Sequence, residues 1–453
     1  MNNYNIRRNI AKGVAALTLL LTSCESYFLE PDSPQYIADN ISIVDAKSAE
    51  TALLGVYSAL QHSEYYGGDG FQSAVNLAGG ELIWVGTQNH YNTFVTHTYR
   101  ADNRTLNDSW QAIHKVVNGA NHIIAKVPLL NETGLTDQQR NQLLGEAYTL
   151  RALAQFDLAR AWGNIPLVLQ PTLNATDFSG LKQSNRQEVY KQVLSDLDKA
   201  EQLIGNNSNI NRVTLPAIYA FKARVYLYTE QWDKAEVYAS KVIANTAFGL
   251  VGWQTILSGK NTRESVWELA FSTADKSSYF SVWSSDAYRN TLAPSKALYN
   301  RLRDPLIGGA RSALIKDVST PAKTDFYVQL LYWRSNNDNP TYLFRLAEQY
   351  LIRSEARSKK ETPDLVGALA DLNAVRNRSS VASFESTSRE EILLAIEEER
   401  RVEFAFEPHR WFDLVRTGRV GTVLGVNDTQ KWIFPIPYND LAADPALVQN
   451  PGY

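Results

Sequence analysis

Apolar positions along most of this chain recur at helical spacing. Residues 45–61 place Ala49, Ala52, Leu53, Val56, Tyr57 and Leu60 on one face, the pattern of an amphipathic helix. Residues 106–127 repeat it with Trp110, Ile113, Val117, Ala120, Ile124 and Val127. Residues 138–162 predict a long helix that stops at Gly163, with Asn164-Ile165-Pro166 behind it; glycine followed by proline is a helix-stop signal. Residues 186–204 predict another helix. Within 215–245 two helices meet near Glu230-Gln231, with small residues (Ala220, Ala223, Ala235, Ala239) set against bulky ones (Tyr226, Tyr228, Trp232, Tyr238). Such pairing lets antiparallel helices approach closely, and the unit is close to the ~34-residue tetratricopeptide period. A second pair is predicted over 341–378, broken at Thr362-Pro363. The helices at 138–162 and 186–204 make a looser third pair, and a last helix covers 389–406.

Two stretches break the pattern. Residues 62–105 are rich in Gly, Asn, Thr and Tyr, and residues 250–340 hold scattered Trp, Tyr, Ser and Asn. Connections this long are functional or hold small substructures. The reading is a mostly α fold: a tetratricopeptide-like helical-repeat (α-solenoid) scaffold with long irregular, loop-rich insertions. Residues 434–453 lack helix-forming character and are expected to lie along the body as an extended strap.

Charge and composition narrow the function. The 453 residues carry 45 Lys+Arg against 48 Asp+Glu, a net charge of −3, without the positive excess of a nucleic-acid partner. The single cysteine, Cys24, rules out an intramolecular disulfide and every multi-cysteine zinc site. His62, His90, His97, His114, His122 and His409 form no HExxH pattern, and no Gly-rich phosphate loop or G-x-S-x-G is present. No catalytic, metal or cofactor site is expected.

Arg7, Arg8 and Lys12 precede a short apolar run, Val14 to Leu21. The run is too short to span a bilayer and reads as the core of a signal peptide. Leu21-Thr22-Ser23-Cys24 resembles a bacterial lipobox, in which the cysteine is acylated and becomes the first mature residue. Acyl chains would then supply the membrane affinity. The expected organisation is a lipoprotein signal peptide over 1–23, a lipid-anchored tether over 24–40, and a single domain over 41–453 with insertions at about 62–105 and 250–340.

Three further stretches resemble one family. RALAQFDLARAWGNIPLV (151–168), ERRVEFAFEPHRWFDLVRT (399–417) and FPIPYNDLAADPALVQNPGY (434–453) are similar to signatures of the SusD/RagB-like nutrient-uptake lipoproteins of Bacteroidetes. They occur in the family's order across nearly the whole chain. Pro408 stands where the family often has glycine, and Asp444-Pro445 where it commonly has Asn-Pro. The resemblance implies a non-catalytic outer-membrane lipoprotein, lipid-anchored and exposed at the cell surface. It would act as the lid of a SusC-like TonB-dependent transporter and deliver oligosaccharides to it; in the RagB branch the ligand is a peptide.

The residues of the second signature read as structural. Glu397 stands i,i+4 from Arg401 and i,i+3 from Arg400, pairs worth about 0.2–0.5 kcal/mol each when exposed. Arg410, Asp413 and Arg416 predict a second network. Carboxylates held by arginines have depressed pKa values and make poor general acids. This disfavours a surface glycoside hydrolase, which needs two carboxylates facing each other across a cleft. A bare tetratricopeptide adaptor leaves the long insertions without a purpose.

A sugar ring presents an apolar C–H face and a rim of hydroxyls, so its site needs aromatic platforms beside short polar groups. Residues 81–99 have that composition: Trp84, Tyr91 and Phe94 to stack, with Gln88, Asn89, His90 and Asn92 to hydrogen-bond. Residues 275–290 offer Tyr279, Trp283 and Tyr288 as an aromatic arc, and Tyr332-Trp333-Arg334-Ser335-Asn336-Asn337 is a third candidate.

Overall fold

A computed structural model describes residues 43–131, 134–174, 176–284 and 291–453. Cys24, Tyr288, the signal peptide and the tether lie outside the described residues. The chain divides after Val44, and Asp45–Tyr453 forms the larger unit.

The periodic segments are helices, and so are Gly70–Ala78, inside the stretch 62–105 that reads as irregular, and Arg410–Arg416, beyond the last helix the spacing predicts. They are α1 (Ala46–Leu60), α2 (Gly70–Ala78), α3 (Arg104–Lys126), α4 (Asp137–Trp162), α5 (Arg186–Leu203), α6 (Leu215–Tyr228), α7 (Trp232–Ile243), α8 (Leu346–Lys359), α9 (Leu365–Arg378), α10 (Arg389–Glu403) and α11 (Arg410–Arg416). Local chemistry sets their ends. Reciprocal capping boxes, Thr136 with Gln139 and Asn185 with Glu188, start α4 and α5. Gly163, at φ +81°, ends α4 in a conformation that glycine adopts without strain. Sequence neighbours pack side by side, α3 on α4, α4 on α5, α6 on α7 and α8 on α9, and α8 packs on α7 across the 250–340 insertion, which is the repeat array expected. Its core is small-against-large: Ala223, Ala235, Ala239 and Ala356 pack with Tyr226, Leu227 and Ile352.

The structure corrects one boundary. The helix expected from residue 341 begins at Leu346; Thr341–Arg345 is instead a fully buried strand paired antiparallel with Ser265–Leu269. A short apolar run, Tyr342-Leu343-Phe344, one residue before a helix does not reveal where the period changes. The 250–340 insertion is less irregular than its sequence. It holds short helices, this ladder, a second strand pair (Ile315–Asp317 with Tyr327–Gln329), and Leu292–Pro294 paired with Leu82–Trp84 of the first insertion.

The C-terminal strap lies on the body, interrupted by a short helix, Tyr438–Ala443. The Phe434 N–H donates to the Ala161 carbonyl at 2.8 Å and the Tyr438 N–H to the Ala101 carbonyl at 2.9 Å. Asn450 Nδ2 donates to the carbonyls of Trp162 and Phe434, both at 2.7 Å.

Buried ion pairs join the layers. Arg151 grips Asp196 with two bonds of 2.7 Å between α4 and α5, and Arg224 grips Glu348 at 2.6 and 2.7 Å between α6 and α8. Arg345, at the end of the buried strand, contacts Glu407 at 2.6 Å, Glu403 at 2.7 Å and Glu264 at 3.0 Å. Removing one partner of such a pair strands a buried charge, so these contacts fix which element faces which.

Candidate functional site: the loop face

The first candidate loop is rooted in the 399–417 segment. Gly79 packs so tightly there that a Cβ would lie 3.1 Å from the Trp411 nitrogen. The next residues are Gly80, at φ +74°, and Glu81, whose buried carboxylate accepts from Arg401 Nε at 3.1 Å. Burial pushes the Glu81 pKa up, against the pull of Arg401 and Arg410. From this root Leu82–Trp84 (β1) runs antiparallel to Leu292–Pro294 (β2), with Trp84 opposite Leu292. The N–H groups of Val85 and Gly86 both donate to the Thr291 carbonyl, at 2.9 and 3.2 Å. Thr87, Gln88 and Asn89 form the exposed tip.

The predicted residues divide by depth. Trp84 is half-buried, and its indole N–H has no hydrogen-bond partner among the described residues. Asn89 is exposed. Tyr91 is buried beside His90 and its hydroxyl donates to Asp69. Phe94 is fully buried between Tyr99 and Phe434, at centroid distances of 5.5 and 5.6 Å. Tyr279 is fully buried, stacked on Tyr332 at 3.7 Å and 10°. Gly68 lies against its ring, where any Cβ would come within 2.6 Å. Trp283 is fully buried; its indole N–H donates to Ser73 Oγ at 2.9 Å, and it meets Tyr279 edge-on at 5.0 Å. Tyr91, Phe94, Tyr279 and Trp283 are therefore interior packing. A large aromatic ring is worth most when buried, and the insertions need a core of their own. Tyr279, Trp283 and Tyr332 do converge, as the floor of the loop face rather than its surface.

The surface platform lies in the third candidate segment. Trp333, 47% exposed, is the only tryptophan among the described residues that is exposed. Its N–H donates to the Leu257 carbonyl at 3.0 Å, which fixes the indole plane. Arg334 sits 5.8 Å from the ring centre and donates to the Ser258 carbonyl at 2.7 Å. The signal was present as alternation: Tyr332 faces inward, Trp333 outward, and a polar run follows. A further concavity of about 640 Å³ adjoins the end of the first loop, where Arg100 and Tyr99 meet Lys431 and, from the strap, Tyr438 and Tyr453.

The 399–417 segment is buried, and its ion pairs are not those that helical spacing predicts. Glu397 pairs with Arg419 at 2.7 Å, Arg401 with Glu81, and Arg400 with Asp413 at 2.8 Å. Asp413 also takes Arg416 at 2.9 Å, as expected, and Arg416 grips Glu355 at 2.7 and 2.8 Å. Burial alone would raise the pKa of Glu355 and Glu403. Arg416 nonetheless holds Glu355 down to about 2, and Arg378, Arg311 and Arg345 hold Glu403 down to about 2. For Glu399 and Glu407 burial wins and the pKa rises. The arginines therefore do not depress every carboxylate of the segment.

These features define a helical-repeat scaffold that carries long inserted loops. Residues 43–227 match the family model described as starch-binding and associating with the outer membrane, and residues 323–426 match the model described as the SusD family. A SusD-like protein of Formosa agariphila is 25% identical over 96% of both chains. A SusD-like protein of Bacteroides ovatus is 25% identical over 89% of this chain and 81% of its own. A laminarin-binding SusD-like protein of known structure has a TM-score of 0.78 at 23% identity, covering 91% of this chain and all of that one. A SusD superfamily protein from Bacteroides vulgatus reaches 0.80 at 19% identity over 90% of this chain and 99% of its own. The chain belongs to the SusD/RagB-like family. Among the described residues, no helix is long and apolar enough to cross a membrane.

Proposed function

We propose that this protein is a lipid-anchored lipoprotein of the outer membrane, exposed at the cell surface, that binds oligosaccharides and passes them to a TonB-dependent transporter without catalysing a reaction. The observation that carries the reading is the match of residues 43–227 to a family described as starch-binding and outer-membrane-associated. The laminarin-binding SusD-like protein that shares the fold supports the same ligand class. On this reading residues 1–23 are a signal peptide, Cys24 is the acylated residue, 24–40 is the tether and 41–453 is the binding body. The saccharide surface comprises Trp84, Asn89 and Trp333. The non-catalytic reading is supported by the Arg-rich segment, where Asp413 is paired with Arg400 and Glu355 with Arg416.

Calorimetric titration against a polysaccharide panel that includes laminarin and starch is the direct test. Binding to at least one glycan, with no new reducing ends released, is the expected result. Binding to peptides and to no glycan would overturn the sugar reading in favour of the peptide branch. Fractionation of cells expressing Cys24→Ala tests the anchor; the variant is expected to leave the membrane fraction.

A further inference from the structure

We infer that the pocket where α4 and α5 meet α6 and α11 binds a compact oxyanion: a carboxylate, sulfate or phosphate group, either free or carried on a saccharide. The pocket holds about 380 Å³ and lies on the repeat scaffold. Three guanidiniums line it, those of Arg160, Arg186 and Arg416, beside the phenols of Tyr190 and Tyr228. Glu230 is the one carboxylate in the lining.

The guanidiniums are held differently. Arg160 is buried, with its guanidinium 4.0 Å from the centre of the Phe412 ring. Both its Nε and Nη2 lie 2.8 Å from Asp157 Oδ1. The other oxygen of Asp157 is taken by the hydroxyls of Tyr65 and Tyr66, at 2.7 and 2.8 Å. Arg416 is committed on its far side to Glu355 and Asp413. Arg186 donates from Nε to the Ala159 carbonyl at 3.2 Å and has no carboxylate partner among the described residues. The pocket thus presents one guanidinium without a carboxylate partner among the described residues, Arg186, next to two that already hold carboxylates. Planar guanidinium forks match the paired oxygens of carboxylate, sulfate and phosphate. The phenols stay protonated near neutral pH, because burial raises the pKa of both Tyr190 and Tyr228, and so they donate. Arg186 and Gln187 open α5, whose N-terminal end adds partial positive charge. Glu230, on the rim, opposes the anion.

The site is separate from the loop face and does not depend on the sugar reading. Its test is calorimetric titration of the intact mature protein with sodium sulfate, at ionic strength matched with sodium chloride. Saturable binding that chloride does not reproduce is expected. Arg186→Met is expected to weaken it at least tenfold and Glu230→Gln to tighten it several-fold. No saturable heat, or equal affinity in Arg186→Met, overturns the site. Should Arg186→Met fail to fold, unchanged affinity in Glu230→Gln overturns it alone. General salting-out by sulfate acts on all three proteins alike and mimics neither change. Glucuronate and a monosulfated disaccharide distinguish the sources. Tighter binding than inorganic sulfate assigns the anion to a saccharide and equal binding to a free ion; both outcomes support the site.

Discussion

Two tryptophans in the insertions show what a single residue can and cannot declare. Trp283 is followed by Ser284-Ser285 and Trp333 by Arg334-Ser335-Asn336, and composition alone rates both as platforms. Burial separates them, because the partner that accepts the Trp283 N–H, Ser73, lies 210 residues away. Trp333→Ala is expected to weaken glycan binding by about 0.5–1.5 kcal/mol, the worth of one stacking contact, with little loss of stability. Trp283→Ala should do the reverse. It empties a closed aromatic cluster and costs about 3–5 kcal/mol, visible as a lower urea midpoint. A loss of binding in well-folded Trp283→Ala that exceeds the loss in Trp333→Ala would reverse this division.

At the scale of elements, the helices were legible because each buries one stripe, and the stripe is written in the apolar spacing. The strand Thr341–Arg345 was not, because it is buried on both faces and runs directly into the helix that follows, so the spacing extends that helix back to residue 341. Ion pairing was misread for a related reason: helical spacing nominates partners within α10, whereas Arg400, Arg401 and Glu397 all reach other elements. The bond between α8 and α11 is the sharpest case. Glu355→Gln leaves Arg416 buried with only Asp413 to balance it, and should cost about 3–5 kcal/mol. A loss under about 1 kcal/mol in thermal or urea unfolding would show that Asp413 alone suffices.

For the molecule as a whole, these carboxylates predict how stability follows pH. Glu355 has a folded pKa of about 2, below the ordinary value for glutamate. Its contribution is complete above about pH 4.5 and is lost as pH falls through 2, on the order of 3 kcal/mol in all. Glu403 acts in the same sense. Glu81, Glu399 and Glu407 have raised pKa values, so protonating them favours the fold as pH drops below neutral. Unfolding free energy is therefore expected to peak in mildly acidic solution and to fall steeply between pH 4.5 and 2. A profile still rising at pH 3 would contradict the assignment of Glu355 and Glu403.

The strap also bears on the order in which the chain can be completed. Asn450 closes on the Trp162 carbonyl across 288 residues of sequence, and Phe434 on the Ala161 carbonyl. A chain that emerges N-terminus first presents the finished end of α4 long before these partners exist. Until then two backbone carbonyls lack Asn450 and the Phe434 amide as donors, and the Trp162 ring, packed on Phe71 and Trp110, lacks Phe434. Residues 434–453 thus act as a latch on synthesis: the repeats can assemble early, but this seam stays open until residue 450 has emerged.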